Sequence, residues 1–108
     1  MTNYPKHIKK QLNALMSVAY ERELTRELTQ LATRFDDWRA GKIEAGELHD
    51  LIHQYHQGPG LEIYKRYDFR DADWTVARAV VLGLLSEDEI PADVWPHIES
   101  HVQFLRRE

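Results

Sequence analysis

The chain contains no cysteine. Disulfide bonds, thiolate metal sites and cysteine nucleophiles are therefore excluded, and a reducing cytoplasm suits the composition. No apolar run approaches the roughly 20 residues that a membrane-spanning helix needs. The basic segment at residues 6–10 and the apolar LNALMSVA after it begin like a secretory signal, but this run is short and no small-residue cleavage site follows. These absences favour a cytoplasmic protein without a membrane partner.

Basic residues are fewer than acidic residues. Fourteen lysines and arginines stand against 18 aspartates and glutamates, which gives a formal net charge of −4. An acidic surface repels phosphate backbones, so nucleic acid is not an expected partner. A nucleic-acid-linked regulator using residues 6–10, Arg22 and Arg26 is a third-ranked hypothesis, and it would need steeply salt-dependent binding.

Proline and glycine are absent from residue 6 to residue 40, and strong helix formers dominate this stretch. Two apolar stripes with three- and four-residue steps predict a long helix that is either continuous or bent near Ala19 and Tyr20. The first stripe consists of Ile8, Leu12, Leu15, Met16 and Ala19, and the second consists of Tyr20, Leu24, Leu28, Leu31, Phe35 and Trp38.

No strand alternation long enough for a sheet is present. The pattern predicts a second helix over residues 45–57, a short one over 61–67, a nearly all-apolar one over 74–85, and a last one beginning near Pro96. Ser86 and Glu89 match a capping box for one further turn. The expected fold class is all-α, a compact bundle of four to five helices. One domain over residues 1–108 is expected, with residues 1–19 as a candidate projecting segment.

The turn between the first two helices resembles the calcium-binding loop of the EF-hand family. With Gly41 at the sixth position of the loop, Asp36, Glu44 and Glu47 occupy the first, ninth and twelfth. The resemblance implies a calcium site, but Trp38 and Ala40 stand at the third and fifth positions and offer no side-chain oxygen. A plain helix–turn–helix explains the same residues, because glycine commonly ends a helix in the left-handed conformation.

Histidines recur at metal-ligand spacing. His49 and His53 are four residues apart, His56 follows on the same helix, and His97 and His101 repeat the spacing on the last helix. They would form a metal site if the two helices packed antiparallel. The alternative interpretation is that they border the apolar stripes as amphipathic rings.

No catalytic set is visible, since the chain lacks a glycine-rich phosphate loop and a serine elbow. The sequence therefore does not indicate an enzyme or a cofactor. The aromatic and basic segment with Tyr64, Arg66, Tyr67 and Arg70 is a candidate groove.

The leading hypothesis is a small cytoplasmic, non-catalytic protein that binds another protein or forms a homodimer. The expected interface is the first stripe, which consists of Ile8, Leu12, Leu15, Met16 and Ala19, because two apolar faces exceed what a small monomer easily covers. The alternative is a metal- or ligand-binding regulatory module that uses the histidines of the second helix.

Overall fold

The computed structural model describes residues 4–107, with the backbone alone for Phe69. Over this range the protein is all-α and contains no strand. The five α-helices are α1 (Lys6–Arg39), α2 (Ala45–Gln57), α3 (Pro59–Arg66), α4 (Ala72–Val81) and α5 (Trp95–Arg107). Single turns of 3-10 helix lie at Phe69–Asp71 and Glu87–Glu89. The predicted all-α class is confirmed.

Helix α1 is continuous through Ala19 and Tyr20, as its strong helix formers and lack of proline allow. None of the helices in the described range is long and apolar enough to cross a membrane.

The chain forms two compact units, where the sequence indicates one domain. Unit 1 contains residues 4–22 and 67–107, and unit 2 contains residues 23–66, so α1 contributes to both. The helices of unit 1 enclose one buried apolar cluster. Its members are Ile8, Leu12, Met16, Ala19, Ala72, Val76, Ala77, Ala79, Val80, Leu84, Leu85, Ile90, Val94, Ile98 and Val102. The nearly all-apolar α4 lies among them, as expected for a helix without a polar face.

Helix α4 ends at Val81, four residues before the expected end. Gly83 adopts a φ of 76°, and the backbone N–H of Leu84 donates to the carbonyl of Ala79 at 2.9 Å. This left-handed cap stops the helix, so Leu84 and Leu85 enter the core from a loop. The predicted capping box is confirmed, since the Ser86 backbone N–H donates to Glu89 Oε1 at 3.0 Å.

Unit 2 has few buried side chains for its size. Helices α2 and α3 follow the C-terminal half of α1, and Leu48 and Ile63 are the buried apolar residues described in this unit. Helix α2 has the predicted bounds, and α3 runs from residue 59 to 66 where 61–67 was expected. A Cβ added to Gly60 would lie 3.0 Å from the Tyr55 carbonyl oxygen, so glycine permits the close approach of α3 to α2.

Candidate protein-binding surface

Unit 2 exposes large apolar side chains on each of its helices. Leu28 is 47% exposed, Trp38 42% and Tyr64 71%, and Ile52 and Leu61 are also exposed. Leu48 and Ile63 are the buried apolar residues described in this unit, so these larger side chains remain in contact with water. A contiguous part of this surface is therefore a candidate binding site.

One contiguous face lies on α1 within unit 2. Leu28, Leu31, Ala32 and Phe35 are spaced at i, i+3, i+4 and i+7, so they share one side of the helix. Together with Asp36 and Arg39 they line a shallow depression of about 300 Å³. The small Ala32 side chain produces the depression between its larger neighbours. Four residues at this spacing form the hole that receives one side chain of a facing helix in coiled coils.

The rim of this depression carries a weak ion pair between two exposed side chains. Arg39 Nη1 lies 3.8 Å from Asp36 Oδ1, and both side chains are mostly exposed, at 71% and 76%. Exposed pairs of this kind contribute little to stability because water screens them. Arg39 can therefore turn toward another charge without destabilising unit 2.

The first stripe of α1 is not the exposed one. Ile8, Leu12, Met16 and Ala19 are 0–3% exposed in the core of unit 1, and Leu15 packs partly buried against the same cluster. The expectation that this stripe is an open interface, and that residues 1–19 project as an association segment, is wrong for residues 4–19. Helices α4 and α5 supply apolar side chains that cover it. The second stripe is the more exposed of the two.

The turn that resembles a calcium loop is a plain helix–turn–helix. Helix α1 ends at Arg39, Gly41 adopts a φ of 77°, and α2 begins at Ala45 after an extended Glu44. The Glu44 side chain makes no capping hydrogen bond, and Glu44 and Glu47 are both exposed. Asp36 forms an exposed ion pair with Arg39. The carboxylates thus lie on the surface around a glycine-terminated helix end.

The five candidate histidines divide between the two units. Residues 49, 53 and 56 are exposed on α2, whereas 97 and 101 are half-buried on α5 in unit 1. Among residues 4–107, no three histidine, aspartate or glutamate side chains are grouped to hold a metal ion.

The candidate groove residues divide between the two units. In unit 2, Tyr64 is exposed and Arg66 Nη1 donates to Glu23 at 2.9 Å. In unit 1, the ring of Tyr67 packs edge-on against Tyr20 with 5.1 Å between centroids. Arg70 is engaged by Asp68 at 2.9 Å. Both arginines of the segment are thus paired with carboxylates in their own unit.

Unit 1 contains a buried polar cluster that the sequence pattern does not predict. The Tyr4 hydroxyl donates to Asp73 Oδ2 at 2.7 Å, and His101 Nε2 lies 3.0 Å from the same oxygen. Ser100 Oγ is 3.3 Å from His101 Nδ1, and the Trp74 ring packs on the His101 ring with 4.1 Å between centroids. Asp73 lies beneath these groups and is 6% exposed. The cluster ties the start of the chain to α4 and α5.

Two carboxyl groups of unit 1 have lowered pKa values. Burial alone would raise the pKa of Asp73, but hydrogen bonds from Tyr4, the Trp74 backbone and His101 outweigh it, and the pKa falls below its ordinary value. The Arg22 hydrogen bond, followed by the Ser86 backbone N–H, lowers the pKa of Glu89 to about 2. Arg22 also donates to the Leu84 carbonyl at 2.8 Å. These groups join α1, α4 and the connecting loop within unit 1.

Comparison with known proteins does not assign the chain to a family. No protein-family model matches it, and no curated protein and no solved structure shows significant similarity to it.

Proposed function

We propose that the protein is a non-catalytic, self-associating protein of the cytoplasm, and that its contact surface is the exposed face of α1 in unit 2. The observation that carries the proposal is the open depression around Ala32 between Leu28, Leu31 and Phe35. Contiguous apolar surface of this kind marks sites of protein association. A second copy of the chain offers the helix and the large apolar side chains that such a depression receives.

The test is the mass in solution, measured by light scattering over a wide range of protein concentration. We expect a mass that rises toward twice the 12.8 kDa of one chain as the concentration increases. Leu28→Glu should keep the mass at that of the monomer, because a carboxylate would be buried against apolar side chains. Since Leu28 is 47% exposed, the substitution leaves the fold intact, which far-ultraviolet circular dichroism verifies.

Thr33→Glu is the matched control. Thr33 is exposed on the same helix, nearly opposite the depression, and its hydroxyl donates to the Thr29 carbonyl within α1. This variant adds the same charge and should associate like the wild type. A wild-type protein that stays monomeric at the highest concentration would overturn the proposal. So would equal masses for the two glutamate variants.

A further inference from the structure

A second open groove of unit 2, with a volume of about 280 Å³, lies between α1 and the two helices that follow it. Its α1 wall consists of Glu27, Gln30, Leu31 and Arg34, which are spaced at i, i+3, i+4 and i+7 and share one side of the helix. Of these residues, only Leu31 also lines the depression around Ala32. We propose that this groove binds a short zwitterionic peptide of about three residues, with its amino group at Glu27 and its carboxylate at Arg34.

The spacing of the two charged side chains on α1 matches the length of such a ligand. Glu27 and Arg34 are seven residues apart, which corresponds to about 10.5 Å at 1.5 Å of rise per residue. An extended peptide spans about 3.3 Å per residue, so the amino and carboxylate groups of a tripeptide are about 10 Å apart. A tripeptide that lies along α1 therefore brings each of its charged ends to a side chain of opposite charge.

The two charged side chains differ in the partners that they already have. Glu27 is half-buried, and no cation among residues 4–107 is paired with it. Arg34 donates to Asp37 at 3.1 Å and is 49% exposed. A guanidinium has five N–H groups, so donors remain for the carboxylate of a ligand, although Asp37 offsets part of the positive charge. The amino end of the ligand should therefore contribute more to binding than the carboxylate end.

The middle of the groove combines amide groups with apolar surface. Gln30 on α1 and Gln54 on α2 are exposed on its two walls, and each offers an amide donor and an amide acceptor. The apolar lining consists of Leu31, Leu51, Tyr55 and Pro59. The glutamine amides can bond to the peptide groups of the ligand, while its central side chain contacts the apolar lining. A peptide with an apolar central residue matches both sets of groups.

The tripeptide Ala-Leu-Ala is the probe that tests the proposal, in a titration of the full chain in dilute solution followed by nuclear magnetic resonance of the backbone amides. At about pH 6.5 the amino group of the peptide is protonated and its carboxylate is ionised. We expect saturable shifts of the amides of residues 27–34 and 51–55, with a dissociation constant on the order of 1 mM because the groove is shallow. Acetylation of the amino group should raise this constant about threefold, and amidation of the carboxylate should raise it less.

Two substitutions assign the ends of the ligand. In Glu27→Gln, the free and acetylated peptides should have similar dissociation constants, because the charge pair at the amino end is already lost. Arg34→Gln should remove the effect of amidation in the same way. Glu44→Gln and Lys42→Gln are the matched controls, since both residues are exposed in the turn before α2 and carry the same charges outside the groove. Both controls should keep the effects of acetylation and amidation.

Two results would overturn the proposal. One is the absence of saturable shifts at the groove residues when the peptide is raised to about 20 mM, well above the expected dissociation constant. The other is an effect of acetylation that persists in Glu27→Gln, because the amino group would then lie elsewhere. Neither result bears on the proposed self-association, which depends on the depression around Ala32.

Discussion

Among the polar groups of unit 1, Asp73 is the one whose replacement should lower the free energy of unfolding most. The carboxylate is 6% exposed and accepts from both Tyr4 and His101. Asp73→Ala leaves these two groups without their acceptor in a buried site. We expect the free energy of unfolding to fall by about 1–3 kcal/mol, measured by chemical denaturation.

Asp88→Ala is the control for this loss. Asp88 is exposed in the turn Glu87–Glu89 of the same unit, so its removal should change the free energy of unfolding by less than about 0.5 kcal/mol. Equal effects of the two substitutions would show that the hydrogen bonds to Asp73 are not formed in solution.

Glu89 gives the stability of unit 1 a defined dependence on pH. Its pKa is about 2 when folded and 4.5 as the ordinary value, so the folded state binds fewer protons between these two pH values. Stability is therefore fully present above about pH 4.5 and falls as the pH drops toward 2. Glu89→Gln should show a smaller loss of melting temperature over this window than the wild type. Glu99→Gln, an exposed position on α5, should keep the wild-type slope, and an unchanged slope for Glu89→Gln would refute the assignment.

The sequence reveals polar residues near helix starts but not their distant partners. Asp68 precedes the turn Phe69–Asp71 and accepts from the Arg70 backbone N–H at 2.9 Å, a contact that short sequence spacing can indicate. Asp73 instead binds Tyr4, 69 positions earlier in the chain. Local spacing carries no information on such a contact, because tertiary packing brings the two residues together.

At the scale of helices and turns, the two glycines around the start of α2 should respond in opposite directions to the same substitution. Gly41 has a φ of 77°, so Gly41→Ala forces a left-handed conformation and should cost about 1–2 kcal/mol. Gly46 lies within α2 with open space around its Cα, so Gly46→Ala should stabilise by about 0.5–1 kcal/mol. Denaturation of both variants checks the pair. A destabilised Gly46→Ala would contradict the helix–turn–helix described for residues 40–46.

For helix α1, the local sequence determines the length and the apolar faces but not which face is covered in the folded chain. Periodicity predicted the long helix and its two apolar stripes correctly, because side-chain spacing alone defines a helical face. It did not reveal that α4 and α5 cover the first stripe, since this depends on how distant segments pack. The prediction that the first stripe is the exposed one is therefore wrong, and the second stripe is the more exposed of the two. Similarly, the apolar pattern predicts that α4 continues to residue 85, whereas the left-handed conformation of Gly83 ends the helix at Val81.

For the whole molecule, the difference between the two units predicts a difference in local stability. Unit 1 encloses a cluster of buried side chains from α1, α4, α5 and the connecting loop, whereas Leu48 and Ile63 are the buried apolar residues described for unit 2. Backbone amide hydrogens exchange with solvent more slowly where more buried apolar contacts must open first. In dilute solution, amides of α2 and α3 should exchange faster than those of α4 and α5, as measured by hydrogen exchange with mass spectrometry.

Raising the protein concentration should change this pattern along α1 in a specific way. If the proposed self-association buries the face from residue 25 to residue 39, amides there should become slower to exchange, because opening the helix then also requires breaking the dimer. Residues 8–19 lie on the same helix and are already covered within unit 1, which makes them an internal control with unchanged exchange. Slowing confined to residues 8–19, or no change over 25–39 in samples that are dimeric by mass, would place the contact elsewhere. If Leu28→Glu abolishes the slowing over residues 25–39, the protection depends on the apolar side chain at the rim of the depression and not on crowding at high concentration.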